Sequence, residues 1–441
     1  MANNTAKNPL IWHLFPCFLL LVSLFELAYN IQNRMDVISI FIFLGLSFVS
    51  YFSILYRFNQ TVHDPLNFSL AIFSRLILMA SFPLLSDDIY RFIWDGDLMN
   101  HGINPFLYTP QEILSQNLDW LNPILFQKMN SPNYYSVYPP INQFAFFISS
   151  FIGNGNLLLS TITLRLIIML FDLGNIILIK KLLVHFKKEP NLVFLYALNP
   201  LVILEFTGNL HFEAIMIFFT LLSIWFLAKD KWILTAVSLA FAILSKLLPI
   251  LFIPLLIHQI GWKKTFYTIL IITIITILLF LPFLNTMDLA SHLFSSIQLY
   301  YGKFEFNGSI YQLLKVIGWE ILGYNPIAYT SKILLALSLI GFFIVYIKSK
   351  NIFEGIFWII FIYLIFSAIV HSWYMLILIA ITPFIKWRFA IVWSLLICLS
   401  YFTYHSIPYQ EHSILVIIEY VLLGLFMIYE INRKDIYKID F

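Results

Sequence analysis

A chain of 441 residues that is 61% hydrophobic, 18% aromatic and 11% charged, with a mean hydropathy of +0.86, is not a water-soluble globular protein, in which charged residues make up about 25%. Its net charge of +3 is small and dispersed in short clusters, which speaks against a nucleic-acid partner. Cys17 and Cys398, the two cysteines, both lie in apolar runs, so there is no disulfide framework and no metal-type cysteine spacing.

Apolar runs long enough to cross a hydrocarbon core of about 30 Å recur from Leu10 to Tyr429, so residues 1–441 read as one transmembrane domain, an all-α polytopic bundle. The first run lacks a small-residue cleavage site and reads as a retained span. Spans at 9–29, 37–57 and 67–85 bring the chain to the outer side at Ser86. Basic loops mark the cytoplasmic side. They are Lys180 to Lys188, Lys229 to Lys231, Lys263 and Lys264, Lys348 to Lys350, Lys386 to Arg388, and Arg433 to Lys438. Outer turns then fall near Asn209, Lys246, Asn285 to Asn325, His371, and His405 to His412.

Residues 86–138 form a long extracytoplasmic loop and 285–325 a second one. The apolar stretch 139–153 is too short for a usual span and reads as re-entrant or sharply tilted, which lets 157–179 carry the chain inward. Segment 232–259 has two basic ends but room only for two short crossings, a broken hairpin with Lys246 at its apex. The expected total is about thirteen membrane segments.

Within the first loop, SDDIYRFIWDGD puts Ile89, Phe92 and Ile93 on one helical face and Asp88, Arg91 and Asp95 on another. Such a helix suits the headgroup plane, with Tyr90 and Trp94 at interfacial depth. Gln111 to Lys128 carries a second stripe of Leu114, Leu118, Leu121 and Leu125, which Pro123 kinks or ends. Asp87 and Asp88 stand where a span gives way to the first helix. One reading is a Ser86 cap with two acids complementing the helix dipole. The other is a carboxylate beside a like charge, serving as base on an acceptor hydroxyl.

The run SDDIYRFIWDG from Ser86 to Gly96, followed by GINPF from Gly102 to Phe106, resembles the first outer loop of polyprenyl-phosphate-mannose-dependent mannosyltransferases of the GT-C superfamily. YPP from Tyr138, LNPL from Leu198, GNLHFE from Gly208, SKLLP from Ser245, FNGS from Phe306 and HSWY from His371 are similar to the same families, in order over roughly 70–390. The resemblance implies a GT-C-like bundle with loop helices. It also implies transfer of a hexose, most readily mannose, from a polyprenyl-phosphate carrier to a glycan or lipid acceptor in the cell envelope. Inversion is implied, with a first-loop carboxylate, Asp87 or Asp88, as catalytic base. The setting expected is a bacterial inner membrane with an extracytoplasmic site. His371-Ser372 stands where those mannosyltransferases commonly carry Asn-Pro, which leaves sugar and acceptor open.

Displacement at an anomeric carbon needs a base for the incoming hydroxyl and cations for the departing phosphate. Lys246 and Arg91 are the candidate phosphate-binding residues, although Arg91 can instead pair with Asp88 or Asp95. Tyr138, Glu205, Asn209, His211, Glu213, His371 and Tyr374 are the candidate sugar and acceptor contacts. Trp373 reads equally as an interface anchor and a sugar platform. No motif calls for a cofactor or a bound metal, and a divalent cation on the His/Glu group is the alternative without ligand spacing to support it. Arg165 and Asp172, embedded in an apolar segment, read as packing partners outside the site. Tyr300, Tyr301 and Asn307 of the second loop are placed to cover the cavity or to meet the acceptor. The rival function is a polytopic transporter or lipid-linked-sugar flippase.

Overall fold

The computed structural model describes residues 9–56, 64–284, 288–289, 291–292, 295 and 304–433. Tyr300, Tyr301 and the end of the last basic cluster lie outside them. The described chain is all-helical, with no strand. Among the described residues six helical stretches are long and apolar enough to cross a membrane: His13–Asn30, Val37–Tyr56, Leu157–His185, Leu248–Phe283 with its break at Gly261, Ile327–Lys348 and Ser413–Asn432. A seventh crossing arises if the bent pair Pro190–Ala197 and Pro200–Gly208 is one span. Five shorter apolar helices complete the bundle, so length and composition define fewer full spans than the expected thirteen. The third expected span, 67–85, is a helix only over Asp64–Leu76.

The bundle has two chemically distinct ends. Gln259 Nε2 donates to the carbonyl of Lys350 at 2.8 Å, placing the turn at Gly261 beside the 348–350 cluster at the basic end. That turn needs φ +77°, which glycine adopts without steric cost. At the opposite end, Arg165 donates to the carbonyls of Met79, Ser81 and Thr207 at 2.7, 2.6 and 2.5 Å, tying three segments together. Asp172, two turns further along, pairs with buried Arg75 at 2.6 Å. Each membrane-embedded charge thus meets a partner on another element, as its desolvation requires.

The stretch 139–153 becomes helix Pro140–Gly153, whose 14 residues rise about 21 Å, short of a bilayer core. Proline at the first helical position starts it and Asn154 in the left-handed region ends it. It packs on the helix Asp88–Asn100 and turns directly into Leu157–His185. Segment 232–259 is broken as its length demands: helix Trp232–Ser245 ends at an extended Lys246, and a 3-10 helix Leu248–Leu255 runs back. The 3-10 rise of about 2.0 Å per residue lets eight residues cover about 16 Å.

The first-loop helix forms over Asp88–Asn100 and is packed within the protein on both of its faces. Ile89, Phe92, Ile93 and Trp94 are buried, and so are Arg91 and Asp95. Helix Pro140–Gly153 covers one side: Phe92 stacks on Phe146 at 4.6 Å, and the Gly96 site meets the Phe146 backbone so closely that a Cβ there would sit 2.3 Å from its carbonyl oxygen. Phe126 covers Trp94. The second stripe is two short helices, Pro110–Leu114 with a Thr109–Glu112 capping box and Pro123–Lys128 capped by Asn122. Pro123 starts the second of these, because a missing N–H costs nothing at a first helical position.

Candidate functional site

Where the helix Asp88–Asn100 begins, its first two acids part ways. Asp87 occupies the cap position, but its carboxylate turns to Arg34, in the short link between the first two helical segments. Both guanidinium terminal nitrogens engage it, one at 2.9 Å. Burial works against the Arg34 charge and Asp87 overcomes it, holding that guanidinium above its usual value. The Arg34 group also lies 5.3 Å from the ring centre of Tyr404, whose hydroxyl donates to the Leu85 carbonyl at 2.7 Å. Among the described residues Asp88 has no cationic partner within ion-pair distance. Its carboxylate accepts from Asn130 Nδ2 at 2.9 Å and stays half-buried, while its backbone N–H donates to Ser86 Oγ at 3.3 Å.

A second wall comes from the turn after Pro200–Gly208. Glu205 is fully buried and accepts from Asn209 Nδ2 at 3.1 Å, Ser372 Oγ at 2.6 Å and the Tyr401 hydroxyl, with His211 Nδ1 at 2.8 Å. Both its oxygens are committed to holding the turn. Asn209 is likewise used at both ends, its Oδ1 accepting from the Leu85 N–H at 3.3 Å, which ties this turn to the start of the loop helix. Burial disfavours a charged His211, but Glu205 outweighs it, with Glu213 and Asp88 adding to the pull, so the imidazole pKa is raised. Its Nε2 is buried and has no hydrogen-bond partner among the described residues.

Lys246 closes the third side. Its ammonium pairs with Glu213 and stands 4.2 Å from the ring centre of Tyr374. The break that exposes it is fixed from behind, where buried Asn142 Nδ2 donates to the Ser245 carbonyl at 2.9 Å. The floor is a column of flat rings. His211 stacks on Trp373 at 3.8 Å, Trp373 on His371 at 4.3 Å, and His371 on Phe306 at 4.7 Å. Burial, reinforced by the charges of His211 and Lys246 and opposed by Glu205, pushes the His371 pKa down to about 3, so this ring is neutral. Asn307 pins Phe306: its side-chain amide donates to Glu419 at 3.1 Å and its backbone N–H to Glu411.

Arg91 lies elsewhere. It is buried against Asp95 at 2.7 Å and donates to the carbonyls of Ser131 and Tyr134, while Asp95 also takes Ser136 Oγ at 2.5 Å and Gln143 Nε2 at 3.0 Å. Of the pairings open to it, the Asp95 one is formed, and it fastens the loop 131–136 to the helix. Tyr138 packs edge-on against Phe92 and Phe146 behind the site. Among the described residues no three His, Cys, Asp or Glu side chains gather as metal ligands.

Arg34, Asn130 and Tyr401 were not legible as site residues. For Arg34 a signal exists: it is a lone arginine in a short loop on the outer side of the expected topology, against the usual distribution of basic residues, and so asks for an anionic partner.

These features define a polytopic helical membrane protein with acids, cations and stacked rings gathered at one end of the bundle. The family model described as alpha-(1->6)-mannopyranosyltransferase, N-terminal domain, matches residues 23–261, more than half of the chain. The chain belongs to that family and is a mannose-transferring glycosyltransferase. Comparison with curated proteins gives no match.

Proposed function

We propose that this enzyme transfers mannose from a polyprenyl-phosphate carrier to a hydroxyl of a glycan or lipid acceptor, with inversion, on the extracytoplasmic face of a bacterial plasma membrane. The observation that carries the reading is the charge pairing at the site. Arg34 takes Asp87, His211 takes Glu205 and Lys246 takes Glu213, which among the described residues of the site leaves Asp88 as the carboxylate without an ion pair. An unpaired carboxylate is the better proton acceptor, because a bound cation stabilises its charged form.

In the proposed step the acceptor oxygen attacks the anomeric carbon on the face opposite the phosphate and gives its proton to Asp88. The carbon–oxygen bond to phosphate breaks, and its electron pair leaves on the phosphate oxygen with the polyprenyl chain. Lys246 supplies charge to that oxygen, and His211 supplies a second donor at Nε2 when its ring carries the proton. Arg91, 3% exposed and bonded to Asp95, Ser131 and Tyr134, has no face open to the phosphate and takes no part, whereas Lys246 keeps about a third of its side chain accessible beside Glu213. Both faces of Trp373 and of His371 are taken up within the ring column, so these rings meet the sugar by their edges. The family description suggests the 6-hydroxyl of a mannose as acceptor.

The test is purified enzyme in vesicles with polyprenyl-phosphate-mannose and a mannoside acceptor. The expected product is a new mannosidic bond whose anomeric configuration, read by NMR, is opposite to that of the donor. Appearance of labelled donor in the opposite leaflet without a new bond would establish the transporter reading instead, and retention of configuration would remove the single-displacement step.

A further inference from the structure

The basic end holds a feature that mannosyl transfer does not use. Helix Leu157–His185 presents Ile177, Lys180, Lys181 and Val184, spaced as one helical stripe. Trp225 and Lys229, at the end of Glu213–Ala228, face it across a cavity of ≈ 630 Å³, and Phe68 of Asp64–Leu76 closes the side. Glu213 at the candidate site and this opening are separated by a helix of 16 residues, about 24 Å. The cavity therefore lies at the other end of this helix from the candidate site and shares no residue with it.

Its chemistry is amphipathic. Phe68, Ile177, Val184 and Trp225 give apolar walls, while three lysines stand at the rim. The Lys180 ammonium lies 4.2 Å from the Phe68 ring centre and that of Lys229 4.8 Å from Trp225. None of the ion pairs among the described residues includes any of the three. A snorkelling lysine needs no cavity, and a free phosphate would leave most of this one unfilled. A phosphate joined to acyl chain satisfies both the charge and the apolar wall.

We propose that this groove binds the phosphate headgroup and upper acyl chain of an anionic phospholipid in the leaflet opposite the candidate active site. A lysine near an anionic lipid contributes a factor of about five in affinity, so the three together give roughly a hundredfold.

The test uses full-length protein in detergent micelles titrated with brominated phosphatidylglycerol, which quenches nearby tryptophan. The Trp225 signal is taken as the difference between wild type and Trp225→Phe. Wild type should quench at a far lower lipid fraction with phosphatidylglycerol than with brominated phosphatidylcholine. The Lys180→Gln/Lys181→Gln/Lys229→Gln variant should need roughly a hundredfold more of the anionic lipid. The corresponding triple arginine variant should behave as wild type. Mannosyl transfer by the glutamine variant in zwitterionic lipid should be unchanged, which shows that it is folded. Equal quenching of wild type and glutamine variant overturns the proposal, as does equal quenching by the two lipids. Release of the lipid by millimolar inorganic phosphate overturns it too, since the groove would then be a site for a soluble anion.

Discussion

Asp87→Asn and Asp88→Asn are equal changes to adjacent residues, and the structure gives them opposite outcomes. Asp88 is half-buried, forms no ion pair among the described residues, and offers Asn130 an acceptor that an amide oxygen replaces. Stability should hardly change. A positioned general base contributes a rate factor of roughly a hundred to ten thousand, so kcat should fall by that factor. The fall corresponds to about 3 to 5 kcal/mol of barrier. Asp87→Asn removes a partly exposed pair, its side chains 19% and 23% accessible, and leaves the Arg34 charge uncompensated. The cost is about 1 to 3 kcal/mol of stability, with rate reduced less than tenfold. Initial rates of radiolabelled mannose transfer at saturating donor, with thermal melts of both variants in the same detergent, separate the two effects. Asp88→Asn within tenfold of wild type would refute the base assignment. So would a collapse of rate in Asp87→Asn at an unchanged melting temperature.

Lys246→Ala should raise the donor KM and lower kcat, whereas Lys246→Gln in combination with Glu213→Gln should recover the stability but not the rate, as read by melts and donor titrations. Gly96→Ala places a Cβ 2.3 Å from the Phe146 carbonyl oxygen and must push the loop helix off its neighbour. A stability loss of about 1 to 3 kcal/mol is expected, together with reduced transfer, because Asp88 rides on that helix. His371 is held neutral down to about 3, so an unfolded chain, whose histidines titrate near about 6.5, binds the proton more readily. Stability from this group is therefore lost as pH falls below about 6.5, by about 2 kcal/mol at pH ~5, and His371→Phe should abolish that loss in pH-dependent melts. His211 has the opposite sign: its raised pKa makes its contribution full below about 6.5 and lost as pH rises through the folded value, a loss that His211→Gln should remove.

What could be read from the residues alone was whatever hydrophobic length and local order encode. The bundle, the broken segment at Lys246, the short stretch 139–153, the helix beginning at Asp88 and the need of Arg165 and Asp172 for partners on other helices all follow from run length, proline position and the cost of burying charge. Long-range pairing is a different matter. Nothing local says that Arg34 meets Asp87 across 53 positions, that Arg91 is spent on Asp95, or that Trp373 stacks between two imidazoles 160 positions apart. Nor does local pattern show that the loop helix is buried on both faces, since amphipathic periodicity looks the same against lipid as against another helix. The chain's own order named the acids. Only the assembled bundle distributed the cations among them, because ion pairing is decided by which groups share a few ångströms of desolvated space.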